Sequence, residues 1–95
     1  MSVIKKGVNE FFIAIDGEIV AKIEFAYGGR DTEEREILII NHTVVADKHR
    51  GEGLGRSLVD RVVEYARREH QYIIPLCPFA KLILENGEQY KDILR

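Results

Sequence analysis

Residues 44–55 are the stretch around which the rest of this chain is arranged, and they read Val44-Val45-Ala46-Asp47-Lys48-His49-Arg50-Gly51-Glu52-Gly53-Leu54-Gly55. A β-branched apolar run, residues 37–45, leads into it, and the most regular amphipathic segment of the sequence follows it. A strand, a glycine-rich turn and a helix in this order can bind an anion, because free backbone N–H groups and the positive end of the helix dipole converge where the helix begins. The stretch therefore predicts a pyrophosphate site, and a tight connection that binds nothing is the alternative.

The size and composition of the chain limit its class. It has 95 residues, of which 45% are hydrophobic and 32% charged, and a formal net charge of -2. We therefore expect one domain, residues 1–95. No apolar run approaches the roughly 18 residues of a membrane span, and the charge argues against non-specific nucleic-acid binding. The single cysteine cannot form an internal disulfide, which favours a cytoplasmic location.

The N-terminal half has the pattern of an antiparallel hairpin. Two alternating segments, 8–15 and 18–27, flank Asp16-Gly17, a strong signal for a two-residue turn. We expect residues 1–7 to be a lead-in and residues 28–35 to be a solvated loop. One face of the second strand is predicted to carry Ile19, Ala21, Ile23, Phe25 and Tyr27, and the other Glu18, Val20, Lys22, Glu24 and Ala26.

The C-terminal half predicts a parallel crossover. Residues 36–45 form a third strand, or two joined strands with a kink near Asn41-His42, and their apolar content suggests burial on both faces and a central position. Residues 54–69 have the helical period, and residues 72–76 form a strand parallel to the third. The last predicted elements are short helices at 79–85 and 88–94. The fold class is thus α/β with a mixed sheet.

Two familiar phosphate motifs do not fit the glycine turn, and a third does. The turn lacks the Gly-Lys-Ser/Thr ending of a nucleotide P-loop and the spacing of a dinucleotide fingerprint. Arg50-Gly51-Glu52-Gly53-Leu54-Gly55 matches Arg/Gln-x-x-Gly-x-Gly/Ala, the acetyl-CoA signature of the GNAT acyltransferase superfamily. The chain from about Glu36 onward also resembles the small stand-alone GNAT-like proteins, whereas the N-terminal hairpin matches only in type. The further residues that carry this resemblance are His42-Thr43-x-Val45, Leu58-Val59, Cys77-Pro78-Phe79 and Tyr90.

This resemblance implies an N-acetyltransferase that binds acetyl-CoA and transfers its acetyl group to an unidentified amine. Arg50 and the backbone N–H groups of the turn would bind the pyrophosphate of CoA, and Arg56 would add positive charge. The backbone of Val44 and Val45 would pair with the pantetheine arm, and the Val45 N–H would polarise the acetyl carbonyl. The implied cofactor-binding residues are thus Val44, Val45, Arg50, Gly51, Glu52, Gly53, Leu54, Gly55 and Arg56.

Two side chains are candidates for the chemistry itself. His42 precedes the acyl-binding backbone, and a free imidazole, with a pKa of about 6.5, can take a proton from an ammonium acceptor. Cys77 precedes a predicted helix N-terminus, which favours the thiolate, so it could accept the acetyl group or assist the departure of CoA. The alternatives are a histidine that ties its strand to a neighbour and a small buried apolar cysteine. The histidines and the cysteine have no metal-ligand spacing.

Three departures from the GNAT pattern define an alternative function. Ile83 stands where relatives often have a tyrosine, and in larger GNAT enzymes a tyrosine of this helix protonates the departing thiolate. Asp47 stands where proline is common, and the N-terminal half is short. The alternative is therefore a non-catalytic acetyl-CoA-binding module without a complete acceptor site. An exposed sheet edge in so small a protein allows either a monomer or a homodimer.

Overall fold

Five strands and two α-helices make up most of residues 3–95, the part of the chain that this computed structural model describes. The strands lie side by side in chain order, with three antiparallel junctions followed by a parallel one. The predicted mixed α/β sheet is thereby confirmed. The elements are β1 (Ile4–Gly7), β2 (Glu10–Ile15), β3 (Glu18–Arg30), β4 (Glu36–Val45), α1 (Leu54–Arg68), β5 (Tyr72–Pro75) and α2 (Pro78–Asn86), with 3-10 turns at Asp47–His49 and Glu88–Tyr90.

The core lies between one face of the sheet and α1. The apolar stripe of α1 packs across β2, β3 and β4, and the side chains that meet it from the sheet are fully buried. On β4 these are Leu38 and Ile40, whereas Ile37 and Ile39 on the other face are only half-buried. The expectation that β4 is buried on both faces was therefore wrong, because α1 and α2 pack on the same face of the sheet. The interior position of β4, between β3 and β5, agrees with the prediction.

The N-terminal half contains more strand than the sequence pattern indicates. Residues 4–7, expected as part of a lead-in, form β1 and pair with β2, while Met1 and Ser2 lie outside the described residues. The loop predicted at 28–35 is also shorter, since β3 continues to Arg30. The reason is local: the Asp31 carboxylate accepts hydrogen bonds from the N–H groups of Glu33 and Arg35, which closes a tight turn.

Two β-bulges decide which side chains face the core. In β3 the pairing with β2 skips Val20, so Val20 is 3% exposed and Ile19 is 54% exposed. This reverses the predicted faces at that end of the strand, because one extra residue shifts every following side chain to the other face. In β4 the pairing with β3 skips Asn41, so the expected kink is a bulge within one continuous strand.

The C-terminal residues complete the sheet edge instead of forming a helix. The predicted helix at 88–94 is only a 3-10 turn, after which Ile93 and Arg95 bond to the main chain of Ile73 in β5. Tyr90 is buried and donates a hydrogen bond to Asp60 of α1. The unpaired N–H and C=O groups of β5 thus determine the conformation of the chain end.

Candidate functional site

The sheet opens between β4 and β5. These strands pair only over residues 37–40 of β4, and the N–H groups of Leu76 and Cys77 then both donate to the Ile40 carbonyl, at 3.0 and 3.1 Å. At that point the chain leaves β5 and enters α2, while β4 continues to Val45. Residues 42–45 therefore have a strand partner only on the β3 side.

The register of β4 against β3 shows which main-chain groups face this opening. The Ala46 N–H donates to the Val20 carbonyl at 2.8 Å, so Ala46 and Val20 form a hydrogen-bonded pair. Along an antiparallel ladder, such pairs alternate with pairs that exchange no hydrogen bonds. Val44 is therefore in a bonded pair with Lys22, whereas the N–H and C=O groups of Thr43 and Val45 point away from β3. The expectation that the Val44 main chain binds pantetheine does not fit this register.

The start of α1 supplies unpaired donors. Its N-cap, Gly53, has a φ of +79°, and no side chain among residues 3–95 caps the helix. The first helical hydrogen bond runs from the Ser57 N–H to the Gly53 carbonyl at 3.0 Å. The N–H groups of residues 53–56 thus have no helical partner, and the positive end of the dipole coincides with them.

These two features border one cleft of about 610 Å³. The size falls within the usual range for small-molecule sites, about 300–1,000 Å³. Most of the predicted cofactor-binding residues line it, but Val44 and Glu52 do not, and neither do His42 and Cys77. The lining residues are Thr43, Val45, His49, Arg50, Gly51, Gly53, Leu54, Gly55, Arg56, Phe79 and Ile83.

The wall of the cleft depends on close packing between α1 and α2. A Cβ atom on Gly55 would lie 2.7 Å from the ring of Phe79 and 3.5 Å from the side chain of Val45. Gly55 thus lets α2 approach the first turn of α1, which positions Phe79 on the cleft.

The basic side chains of the loop have acidic neighbours. Arg50 lies 3.2 Å from Asp47, and the Lys48 ammonium lies 3.4 Å from Glu18. The His49 Nδ1 lies 2.9 Å from the Glu52 carboxylate. Arg56, also on the cleft wall, has no carboxylate among residues 3–95 within salt-bridge distance.

Cys77 lies immediately behind the cleft, at the N-terminus of α2. It is 6% exposed, and its Sγ is 3.5 Å from the hydroxyl oxygen of Thr43, a residue of the cleft wall. Burial raises the pKa of the Cys77 thiol, but hydrogen bonds from the Thr43 hydroxyl and from the backbone of Ala80, Phe79 and Thr43 outweigh it, so the pKa lies below its ordinary value. The surroundings therefore favour the thiolate more than those of a typical buried cysteine.

His42 occupies a different position from the cleft walls. It is exposed, and the alternation along β4 places its side chain on the opposite face of the sheet from Thr43 and Val45. Its partner across the ladder is Glu24. This face of β4 is open to solvent at His42.

Four residues of the cleft wall are not among the predicted cofactor-binding residues: Thr43, His49, Phe79 and Ile83. Thr43 could have been found from the period of two that relates it to Val45, since both face the same side of one strand. His49 immediately precedes the Arg50–Gly55 signature, so its place beside the turn could also have been found from the sequence. The positions of Phe79 and Ile83 depend on how α2 packs against α1, and the local sequence carries no signal for that packing.

The described part of the chain contains neither a helix that could span a membrane nor a cluster of metal ligands. None of the helices among residues 3–95 combines the length and the apolar content needed to cross a membrane. The same residues contain no group of three or more His, Cys, Asp or Glu side chains that could hold a metal ion.

A family model and a solved structure both relate this chain to the GCN5-related N-acetyltransferases. The family model of the GCN5-related N-acetyltransferases matches residues 10–93. The chain is 35% identical to a GCN5-like protein from Staphylococcus aureus whose solution structure is known, with a TM-score of 0.76, and the match covers 98% of this chain and 87% of that one. None of the curated proteins compared with this chain matches it.

More distant structures share the fold alone. A ribosomal-protein-alanine N-acetyltransferase from Brucella melitensis is 17% identical over 80% of this chain, with a TM-score of 0.68. A glucosamine-6-phosphate N-acetyltransferase from Arabidopsis thaliana is 19% identical over 80% of this chain, also with a TM-score of 0.68. The present chain spans only 57% and 54% of the lengths of these two proteins.

Proposed function

The chain belongs to the GCN5-related N-acetyltransferase family, and on this basis we propose that it binds acetyl-CoA in the cleft between β4 and α1 and transfers the acetyl group to an amine. The observation that carries the proposal is the joining of two kinds of unpaired main-chain groups in one cleft. The free N–H groups at the start of α1 suit phosphate, and the open side of β4 suits an extended amide chain.

The phosphate end of the proposed site is the turn before α1. The N–H groups of residues 51–56 would donate to the pyrophosphate of CoA, and Arg50 and Arg56 would add charge. Gly51 and Gly53 have φ angles of +85° and +79°, and a Cβ on either would meet no atom within 4 Å. Glycine at both positions relieves strain in the left-handed region and keeps the surface of the turn open to a ligand.

The acyl end of the proposed site is the open side of β4. The carbonyl groups of Thr43 and Val45 would accept hydrogen bonds from the amides of the pantetheine arm. The Val45 N–H would donate to the acetyl carbonyl oxygen and stabilise the negative charge that develops there during attack. When bound, acetyl-CoA supplies an acetyl group on a thioester sulfur, a good leaving group.

The proton transfers have two candidate residues. The amine nitrogen bonds to the acetyl carbon, the bond to sulfur breaks, and the amine loses a proton to a base, for which we propose His42 on the open face. The thiolate that leaves needs a proton, which the Ile83 side chain in the cleft wall cannot supply. We propose Cys77 for this step, or as a residue that carries the acetyl group before the amine attacks. The buried, unpaired state of Cys77 also supports the proposal of a cytoplasmic protein.

Isothermal titration with acetyl-CoA tests the binding proposal, with Gly53→Val against the matched control Gly17→Val. Both glycines have a φ of +79° and open space around the missing Cβ, so the two variants carry a similar strain of about 1–3 kcal/mol. Only Gly53 lies at the cleft, so Gly53→Val should lose at least tenfold in affinity while Gly17→Val binds like the wild type. Equal affinities in the two variants would contradict the assignment of the turn.

Acetyl transfer to a panel of amines and peptides tests the chemistry. Cys77→Ala should slow CoA release at least tenfold with affinity for acetyl-CoA retained, and mass spectrometry of the protein mixed with acetyl-CoA alone would detect an acetyl group on Cys77 if it carries one. If Cys77 carries the acetyl group, its thiolate is the active form, and because the thiol pKa is lowered this activity should persist to lower pH than an ordinary thiol allows. If Cys77 donates the proton, the thiol is the active form, and activity should be lost at lower pH than with an ordinary thiol. Thr43→Val removes a hydrogen bond that favours the thiolate, so it should move this limb of the profile to higher pH.

Two outcomes of the same assays would reject parts of the proposal. Unchanged rates in His42→Ala or Cys77→Ala would remove that residue from the mechanism. Tight binding with no transfer to any acceptor would instead favour a non-catalytic acetyl-CoA-binding module, which the apolar Ile83 in the cleft wall also suits.

A further inference from the structure

One imidazole in the wall of the cleft is held by a carboxylate. The His49 side chain is 19% exposed, and its Nδ1 is 2.9 Å from the Glu52 carboxylate oxygen. The other two basic side chains of the loop, Lys48 and Arg50, are far more exposed, at 69% and 72%. Among these three, His49 is therefore the side chain that the protein surface holds most firmly.

The hydrogen bond to Glu52 fixes the roles of the two ring nitrogens. An ionised carboxylate only accepts, so Nδ1 must carry a proton and donate it. Nε2 is then a bare acceptor in the neutral ring and a donor in the cation. A bare acceptor repels a phosphate oxygen, whereas a charged N–H forms a short, strong hydrogen bond with one.

The charges around His49 come from three elements. Asp47 and Lys48 lie on its own turn, Arg50 and Glu52 follow it, and Arg56 faces the cleft from α1. Glu18 on β3 is engaged with Lys48. From α2 the cleft receives only apolar side chains, Phe79 and Ile83.

We propose that His49 is a ligand of the CoA phosphates that binds in its protonated form, and that Glu52 is the residue that positions it. This inference rests on the proposed function, because it requires CoA in the cleft. It makes affinity for CoA depend on pH through a side chain outside the glycine turn. Because only the protonated ring offers a donor at Nε2, the affinity that His49 contributes should fall as the pH rises.

The state of the ring in the ligand-free protein is tested by nitrogen-15 NMR of His49. In the wild type above pH 8, the neutral ring should carry its proton on Nδ1. In Glu52→Ala the proton should move largely to Nε2, because which nitrogen is protonated depends on the hydrogen bond that the ring makes. An Nε2 proton in the wild type, or an unchanged tautomer in Glu52→Ala, would overturn the positioning role of Glu52.

The ligand role is tested by titrating acetyl-CoA into wild type, His49→Gln and the control His70→Asn between pH 5.5 and 8.5. The ratio of the His49→Gln and wild-type dissociation constants is the readout, since protonation of the CoA phosphates affects both proteins alike. A charge-assisted hydrogen bond of about 1.5–3 kcal/mol predicts a ratio of about ten or more at pH 5.5, which falls toward one at pH 8.5. His70 is exposed beyond the other end of α1, and asparagine tolerates its φ of +56°, so His70→Asn should give a ratio near one throughout.

The titrations distinguish failure of the His49 proposal from failure of the proposed acetyl-CoA site. Wild-type binding with a His49→Gln ratio that stays near one at every pH would overturn the role of His49 and leave the acetyl-CoA site intact. No binding by wild type at millimolar acetyl-CoA would overturn both. Repeating the series with dephospho-CoA identifies the group involved: a ratio that is lost without the 3′-phosphate assigns His49 to that phosphate, and a ratio that is kept assigns it to the pyrophosphate.

Discussion

At the scale of single residues, Gly55 is required for a reason that differs from that of the other glycines of the turn. It lies inside α1 and needs no unusual backbone angle, but the Phe79 ring occupies the space where its side chain would be. The position is therefore set by a contact between two helices. Gly51 and Gly53, by contrast, are needed for their positive φ angles.

A double-mutant cycle between Gly55 and Phe79 tests this reading. Gly55→Ala alone should lower the free energy of unfolding by about 1–3 kcal/mol, because the Phe79 ring must move out of a packed position. In a Phe79→Ala background the same substitution should be neutral or stabilise by up to about 1 kcal/mol, since alanine favours a helix over glycine. Urea denaturation of the four proteins measures both values, and an equal cost in the two backgrounds would show that Phe79 is not the obstacle.

At the scale of elements, the bulge at Asn41 decides what β4 presents to the cleft. Before the bulge, Leu38 and Ile40 face α1, and after it Thr43 and Val45 do. If Asn41 were paired with β3 like its neighbours, strict alternation from Ile40 would direct His42 and Val44 to that face instead. The bulge thus places the cleft-facing main-chain groups and the Cys77 partner, Thr43, where β5 has already turned away.

Deletion of Asn41 should leave the site in place, because His42 would then follow Ile40 directly and keep its pairing with Glu24. Affinity for acetyl-CoA should stay within about threefold of the wild type by titration calorimetry. Deletion of Val44, which is paired with Lys22, would instead move Val45 to the opposite face and should lower the affinity about tenfold or more. Equal affinities in the two deletion variants would show that the register beyond the bulge does not set the site.

At the scale of the whole molecule, the core is a single layer between the sheet and its helices, and the C-terminus closes it. Ile93 is fully buried against β5, and its segment is held by a 3-10 turn, by main-chain bonds to Ile73 and by side-chain contacts such as the Arg67–Asp92 ion pair. A chain this short buries only about 60–65% of its unfolded surface. Each fully buried side chain is therefore a large part of a stability of about 5–15 kcal/mol.

Ile93→Ala should consequently lower the free energy of unfolding by about 2–5 kcal/mol. Lys91 is exposed, lies two residues earlier and pairs with Glu88 at the surface. Lys91→Ala should therefore change the free energy of unfolding by less than about 0.5 kcal/mol. Urea denaturation of both variants provides the comparison. Similar small losses in both would show that the C-terminal segment contributes little to the core.

The sequence by itself determined the features whose physical causes are local. The hairpin turn at Asp16-Gly17, the amphipathic period of α1, the crossover to β5 and the glycine turn from Arg50 to Gly55 all follow from short-range spacing. The glycine-turn pattern also predicted most of the residues that line the cleft, because the turn and the helix N-terminus are contiguous in the chain.

The tertiary structure alone decided the features that depend on which chain segments meet. β1 forms because β2 offers it an edge, and the last residues extend because β5 offers another, so neither has a strong signal of its own. The bulges at Val20 and Asn41 are set by pairing across strands, and they assign Val44 to β3 and Thr43 to the cleft. Local spacing identified the turn that faces the ligand, but the main-chain groups left free beside it depend on the register between strands that are distant in sequence.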